Sequence, residues 1–436
     1  MFLTRRFYIA LIVVILLLGS GYVLAPFFVI GQWILFFLFL VVSADVYSLY
    51  RIRGIQAFRQ CADRFSNGDE NEVSIRVESS YTYPVSLEVI NEIPIVFQKR
   101  DVDFRTKLQA NEGKTITYRL RPTRRGVYSF GYVRVFVTGR IGLVSRRYTC
   151  AEPLDIKVYP SYLMLHQYEL LAMSDNLTEL GIKRVHRVGH HTEFEQIKEY
   201  VKGDDYRTIN WKASARRHEL MVNVYQDERS QQIYNVIDKG RVMQQAFRGM
   251  TLLDYAINAS LVLSYVAMRK EDKAGLVTFD EHFDTFVPAS RQPGYMQTLL
   301  ENLYSQQTTF GETDFSALCV HLNKHVGKRS LLVLYTNFSS IGSMNRQLSY
   351  LKQLNHRHRL LAVFFEDADL KEYIAQPAKD TEGYYRHVIA EKFAYEKRLI
   401  VSTLKQHGIC SLLTTPENLS IDVINKYLKM KARQLL

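Results

Sequence analysis

Residues 7–44 carry no charged side chain. As one straight helix this run would reach roughly 57 Å at about 1.5 Å per residue. A bilayer core is only about 30 Å thick, so a single span is too long. Pro26, with Gly19, Gly21 and Gly31 close by, divides the run into 7–25 and 27–44, each about one crossing long. Arg5 and Arg6 precede it, and Arg51, Arg53 and Arg59 follow. Positive residues stay on the cytoplasmic side. The expectation is a transmembrane helical hairpin over residues 1–50 with both ends in the cytoplasm. Val23-Leu24-Ala25 also resembles a signal-peptide cleavage site. In that alternative the second span stays as the anchor, and the rest of the chain still faces the cytoplasm.

The 436 residues carry a formal charge of +12. Residues 51–160 hold 19 Lys and Arg against 12 Asp and Glu, next to the apolar run. Attraction to an anionic lipid surface accounts for this. Zinc-finger, β-ribbon and arginine-rich nucleic-acid motifs are all missing, so lipid is expected as a partner and nucleic acid is not. Cys61, Cys150, Cys319 and Cys410 are far apart and form no CxxC pair. Neither a disulfide framework nor a zinc site is expected from such spacing.

Residues 70–160 alternate as strands do. EVSIRVESS, SLEVINEI, KTITYRLRP, VRVFVTG and LDIKVYP follow one another at the spacing of a small antiparallel β-sandwich, assigned to 51–160. Pro122 and Gly126 bracket one turn, and Gly139 and Gly142 another. Residues 161–230 read as a polar connector. Its adjacent His190 and His191 cannot face one point on a helix or strand, so they are not expected to hold a metal. From 231 to 436, the apolar strands IYNVID, AGLVTF, SLLVLYTN, RLLAVFFED and ICSLLT alternate with helical stretches. That alternation predicts a doubly wound α/β domain with a mainly parallel sheet. Ligands of such sheets bind beyond the carboxyl ends of the strands. Phosphate-binding glycine loops and the GxSxG nucleophile elbow are missing.

The segment GDDYRTINWKASARR begins at Gly203. With RPTRRGVYSFG, GRIGLVSRR, VYP at residues 158–160 and the apolar N-terminal run, it resembles bacterial membrane proteins of domain-of-unknown-function family 58. The resemblance covers nearly the whole chain. It implies that the α/β part is von Willebrand factor A-like and that the protein sits in the bacterial cytoplasmic (inner) membrane; the reading taken for the chain is that it is not an enzyme. The resemblance further implies a scaffold or adaptor working with a MoxR-type AAA+ ATPase and with other von Willebrand A membrane proteins.

Von Willebrand A domains hold Mg²⁺ through DxSxS, a threonine and an aspartate. Carried onto this chain, the first acid is Asp238, Gly240 and Val242 replace the serines, Thr313 fits the threonine, and Asn337 replaces the last acid. One carboxylate and one hydroxyl make a poor octahedral cage. Lys239 and Arg241 add positive charge beside it, so either stands in for the cation and no cofactor is expected.

Gly203, Asp204, Asp205, Arg207, Trp211, Ser214, Ala215 and Arg216 form the family motif. Acids, arginines and a tryptophan in one run read as a structural lock. Trp211 and Ile209 would be its buried anchors, and the acids would pair with Arg207, Arg216 or Arg217. The catalytic alternative is a metal-dependent hydrolase using Asp204, Asp205 and Asp238.

Overall fold

The computed structural model describes residues 1–21, 25–97, 103–162, 193–201, 204, 206–226, 230–377 and 380–433. Two compact units result, Met1–Tyr159 and Pro160–Leu436. The first holds an N-terminal helical segment and a β-rich region, and the second is α/β.

The first unit opens with β1 (Phe2–Leu3), α1 (Arg5–Ser20) and α2 (Ala25–Tyr50). The two similar spans expected from the sequence are unequal here. At 16 residues, α1 reaches about 24 Å, short of a bilayer core. Pro26–Tyr50 is the one helix among the described residues that is long and apolar enough to cross a membrane, by length and composition. The helices approach closely at glycine: a Cβ on Gly21 would stand 2.7 Å from the Phe28 backbone nitrogen.

α2 continues past Ala44, and its last turns enter the β-rich region. Leu49 is part of that region's core. Asp45 is buried and accepts hydrogen bonds from the backbone N–H groups of Leu143 and Val144, both at 3.0 Å. These bonds satisfy a carboxylate that would be costly to bury alone. The Thr4 N–H donates to the Leu143 carbonyl at 3.0 Å. The start of α1 and the end of α2 therefore meet at one residue.

The β-rich region adds β2 (Ile55–Cys61), β3 (Arg64–Ser66), β4 (Asn71–Ser79), β5 (Val85–Asn91), β6 (Asp103–Leu108), β7 (Gly113–Leu120), β8 (Gly126–Phe130), β9 (Val133–Thr138), β10 (Val144–Cys150) and β11 (Leu154–Tyr159). They form sheets ordered β1-β10-β9-β5-β6, β2-β4-β7 and β3-β11-β8, which share one apolar core. Period-two alternation explains the packing. In β4, Val73, Ile75 and Val77 turn inward while Glu72 and Arg76 face out. The sheets are not wholly antiparallel as the sequence predicts. β11 runs parallel to β3, with Lys157 opposite Arg64. A three-residue strand is too short to leave a period in the sequence.

In the second unit, β12 (Glu193–Glu199) pairs antiparallel with β13 (Met221–Gln226), and α3 (Trp211–Arg217) lies in the excursion between them. The remaining elements are β14 (Gln232–Asp238), the short pair β15 (Ala246–Phe247) and β16 (Met250–Thr251), α4 (Leu252–Arg269), β17 (Lys273–Phe279), β18 (Phe283–Ser290), α5 (Tyr295–Tyr304), α6 (Phe315–His325), β19 (Leu331–Tyr335), α7 (Ile341–Arg357), β20 (Arg359–Phe365), α8 (Ala368–Ala375), α9 (Thr381–Gln406), β21 (Cys410–Thr414) and α10 (Leu419–Ala432). The sheet runs β18-β17-β14-β19-β20-β21 and is parallel except at the β18 edge.

Helices cover both faces. Leu261 of α4 and Tyr427 of α10 belong to one core layer, while Leu322 of α6, Leu351 of α7 and Leu404 of α9 belong to the other. The buried Asp272 ties α10 to the sheet. It accepts from the Lys431 ammonium at 2.8 Å, from the Gln231 N–H at 3.0 Å and from the Tyr427 hydroxyl. The chain leaves β14 for β17 on one side and returns to β19 on the other. The crevice of this fold therefore opens at the carboxyl ends of β14 and β19.

Candidate functional site: the crevice at the end of β14

Asp238 ends β14 with its side chain fully buried. Its Oδ1 accepts from the Gly240 N–H and from the Thr313 hydroxyl, both at 2.8 Å. Its Oδ2 accepts from the Thr336 hydroxyl at 2.6 Å. Burial pushes the Asp238 carboxyl above the usual carboxylate range, and the bonds from Thr336, Gly240 and Thr313 oppose that push. The hydrogen-bond donors are all neutral.

Gly240 shows how tightly this arrangement is drawn. A Cβ there would lie 2.0 Å from the Thr313 hydroxyl oxygen and 3.0 Å from the Asp238 Oδ1. A serine at 240 therefore cannot coexist with the Thr313–Asp238 bond. Val242, at the second serine position, has no donor atom to offer a metal. Asn337 does not join Asp238 either, because its Oδ1 accepts from the Lys397 ammonium on α9. Among the described residues, no three His, Cys, Asp or Glu side chains come together as a metal site.

The structure separates the two cations expected beside Asp238. The Lys239 ammonium is buried and donates to Asp284 at 2.6 Å and to the Gln307 carbonyl at 3.1 Å, with Asp280 at 3.8 Å. Burial raises the Asp284 carboxyl, but the Lys239 ammonium together with the Thr285 and Thr278 hydroxyls outweighs it and holds the group below the usual range. Lys239 follows the last strand residue and turns to the side opposite Asp238, whereas Arg241 opens the short 3-10 turn 241–243 that comes next. Arg241 is exposed and lines a crevice of about 310 Å³ with Asp238, Thr313, Ser339 and Arg346. It also lines a second, larger cavity of about 700 Å³ with Lys397 and Arg398. Sequence reasoning missed Thr336, Arg346 and Lys397. Only Thr336, next to Asn337, had a local signal.

The family motif lies elsewhere in this unit and takes a definite local form. Asn210 caps α3 by accepting from the Ala213 N–H at 3.0 Å. The Ser214 hydroxyl donates to the Asn210 carbonyl and accepts from the Met221 N–H, both at 2.9 Å. His218, with φ of 61°, ends the helix in the left-handed region. Ser214 thus ties α3 to the start of β13.

The anchors expected to be buried are not. Trp211 is 70% exposed and Tyr206 is 69% exposed, while Ile209 is only half-buried. Along α3 the one buried residue is Ser214, so a polar side chain fills the inward position while Trp211, in the first turn, stays in solvent. Ala215 is exposed as well. Asp204 pairs with Lys198 at 2.9 Å rather than with an arginine, and it accepts from the Val201 N–H at 3.0 Å. The Lys198 bond, then the Val201 bond, hold its carboxyl below the usual range. Arg207 is exposed with its guanidinium over Tyr206, and Arg216 makes no ion pair among the described residues. Gly203, Asp205, His190 and His191 lie outside the described residues.

Residues 196–373 match the family described as "Protein of unknown function DUF58". The chain is also similar to "Uncharacterized protein YeaD" of Bacillus subtilis (strain 168). The two are 27% identical over 285 residues, covering 62% of this chain and 68% of that protein. Solved structures match a smaller part. The CARDB domain of a Pyrococcus furiosus protein is 14% identical, with a TM-score of 0.19, over 25% of this chain and 94% of its own. A PapD-like domain of human CEP192 is 11% identical, with a TM-score of 0.19, over 25% of this chain and 89% of its own.

Proposed function

We propose that this chain is a membrane-anchored, non-enzymatic adaptor whose second unit is von Willebrand A-like and binds a protein partner. The carrying observation is the exposed face of the family motif. Trp211 and Tyr206 stand in solvent beside Arg207, Arg216 and Arg217. Exposed aromatic and arginine side chains are the residue types that dominate protein interfaces. A structural lock would have hidden them. The von Willebrand A-like reading is supported by Asp238 and Thr313, which come from different strand-end loops and meet at 2.8 Å. The metal-free reading is supported by the internal donors that occupy both Asp238 oxygens.

The α2 segment is the span in the cytoplasmic membrane, and the meeting of Thr4 and Asp45 at Leu143 supports a hairpin in which the start of α1 and the end of α2 share one side. The partner class follows from the family resemblance: a MoxR-type AAA+ ATPase, with other von Willebrand A membrane proteins. The hydrolase alternative draws no support from Asp204 and Asp238, whose oxygens are taken by Lys198, Val201, Thr313, Thr336 and Gly240.

The test is co-purification of the full chain from detergent-solubilised membranes. The wild type is expected to retain a MoxR-type ATPase that Trp211→Ala loses. Retention by Trp211→Ala, or no ATPase with the wild type, overturns the reading.

A further inference from the structure

The larger cavity opens beyond the carboxyl ends of β14, β19 and β20, roofed by α8 and α9. Its volume of about 700 Å³ falls within the range of small-molecule sites. Phe365, Leu370, Ile374 and Phe393 give it apolar walls. Its acids are already engaged. Asp367 accepts from the Leu370 N–H at 3.1 Å and from the Gln245 amide at 2.9 Å, and Glu366 lies 3.6 Å from Lys371. Three cations remain without a carboxylate partner among the described residues. Arg241 has no side-chain partner there, Arg398 bonds only to the Ala394 carbonyl of its own helix, and the Lys397 ammonium donates to the neutral Asn337. Counted formally, four cations (Arg241, Lys371, Lys397 and Arg398) line the cavity with two acids (Glu366 and Asp367), and an apolar pouch with a net positive lining suits an organic anion.

We propose that this cavity binds a small organic anion, with its apolar body against Phe365 and Phe393 and its carboxylate or phosphate head on Lys397, Arg398 and Arg241. Charge-assisted hydrogen bonds to such a head are about twice as strong as neutral ones. The site lies on different residues from the Trp211 surface, so either can fail alone. Burial lowers the Lys397 amine to about 8, against the opposing pull of Asp367. The other charged groups lining the cavity are Asp367, Glu366, Lys371, Arg241 and Arg398. Affinity is therefore expected to fall about tenfold between about pH 7 and 9 as Lys397 loses its proton.

The experiment is equilibrium dialysis of labelled phenylacetate, phenyl phosphate and neutral phenylacetamide against the full chain in nanodiscs, with empty nanodiscs as the blank. At least one anion should bind saturably and about tenfold or more tighter than the amide. The tighter anion identifies the head group. Lys397→Gln and the exposed variant Arg398→Gln should each weaken that anion severalfold while unfolding at the wild-type temperature. Equal binding of anion and amide, no binding of any probe, or unchanged affinity in both variants overturns the proposal.

Discussion

Gly240→Ala is the sharpest test of the closed Asp238 arrangement. The new Cβ would sit 2.0 Å from the Thr313 hydroxyl oxygen, so Thr313 must leave. Forcing a methyl into a packed site costs about 1–3 kcal/mol. Moving Thr313 also strips a hydrogen bond from a buried carboxyl, about 1–3 kcal/mol more. The expected loss is about 2–6 kcal/mol, read by urea unfolding of the full chain in detergent micelles with circular dichroism. Gly240→Ala and Thr313→Ala act through one side chain, so the two variants should not add. Thr313→Ala alone loses the bond. In the double variant the clash is relieved, and its cost should fall short of the sum by about 1 kcal/mol or more. A Gly240→Ala protein within about 0.5 kcal/mol of wild type would refute the geometry, as would strict additivity.

Asp238 titrates higher folded than unfolded, so the native state holds the extra proton between those two values. Stability should fall as pH rises through that window. Asp238→Asn should lose this slope and gain on the wild type as pH climbs from about 4, measured by thermal unfolding across pH. Asp272→Ala takes the carboxylate from the Tyr427 hydroxyl and from the Lys431 ammonium, which keeps only the Lys270 carbonyl, and should cost about 3–5 kcal/mol in the same urea assay. Trp211→Ala and Arg216→Glu should leave unfolding within about 0.5 kcal/mol of wild type, because both side chains are exposed. A large loss in either would restore the structural lock.

The parallel strands were legible because buried strands read as continuous apolar runs. IYNVID, AGLVTF and RLLAVFFED coincide with β14, β17 and β20 to within about two residues. β18 escaped notice because it is an edge strand containing Pro288, with one face open to solvent. α9 escaped for a related reason: only Ala390, Ile400 and Leu404 along its 26 residues are buried, too narrow a stripe to show a helical period. Within the site, family resemblance brought Asp238 and Thr313 together. It could not assign Lys239 to Asp284, because which way a strand-end side chain turns depends on register. Trp211 misled for the opposite reason, since bulk and aromaticity suit a core and an interface equally. Lys397 comes from a helix 60 residues after Asn337 in the chain, and no spacing rule connects such a pair.

α2 ends inside a fold rather than at a linker. Asp45 is bonded to two backbone N–H groups at the start of β10, and Leu49 is packed in the β core. No swivel separates the helix from the sheets it enters. A bilayer thinner or thicker than an anchoring helix changes that helix's tilt. Were α2 such an anchor, a change of its tilt would rotate the β-rich region with it. The first unit would then convert membrane thickness into orientation, as a lever does.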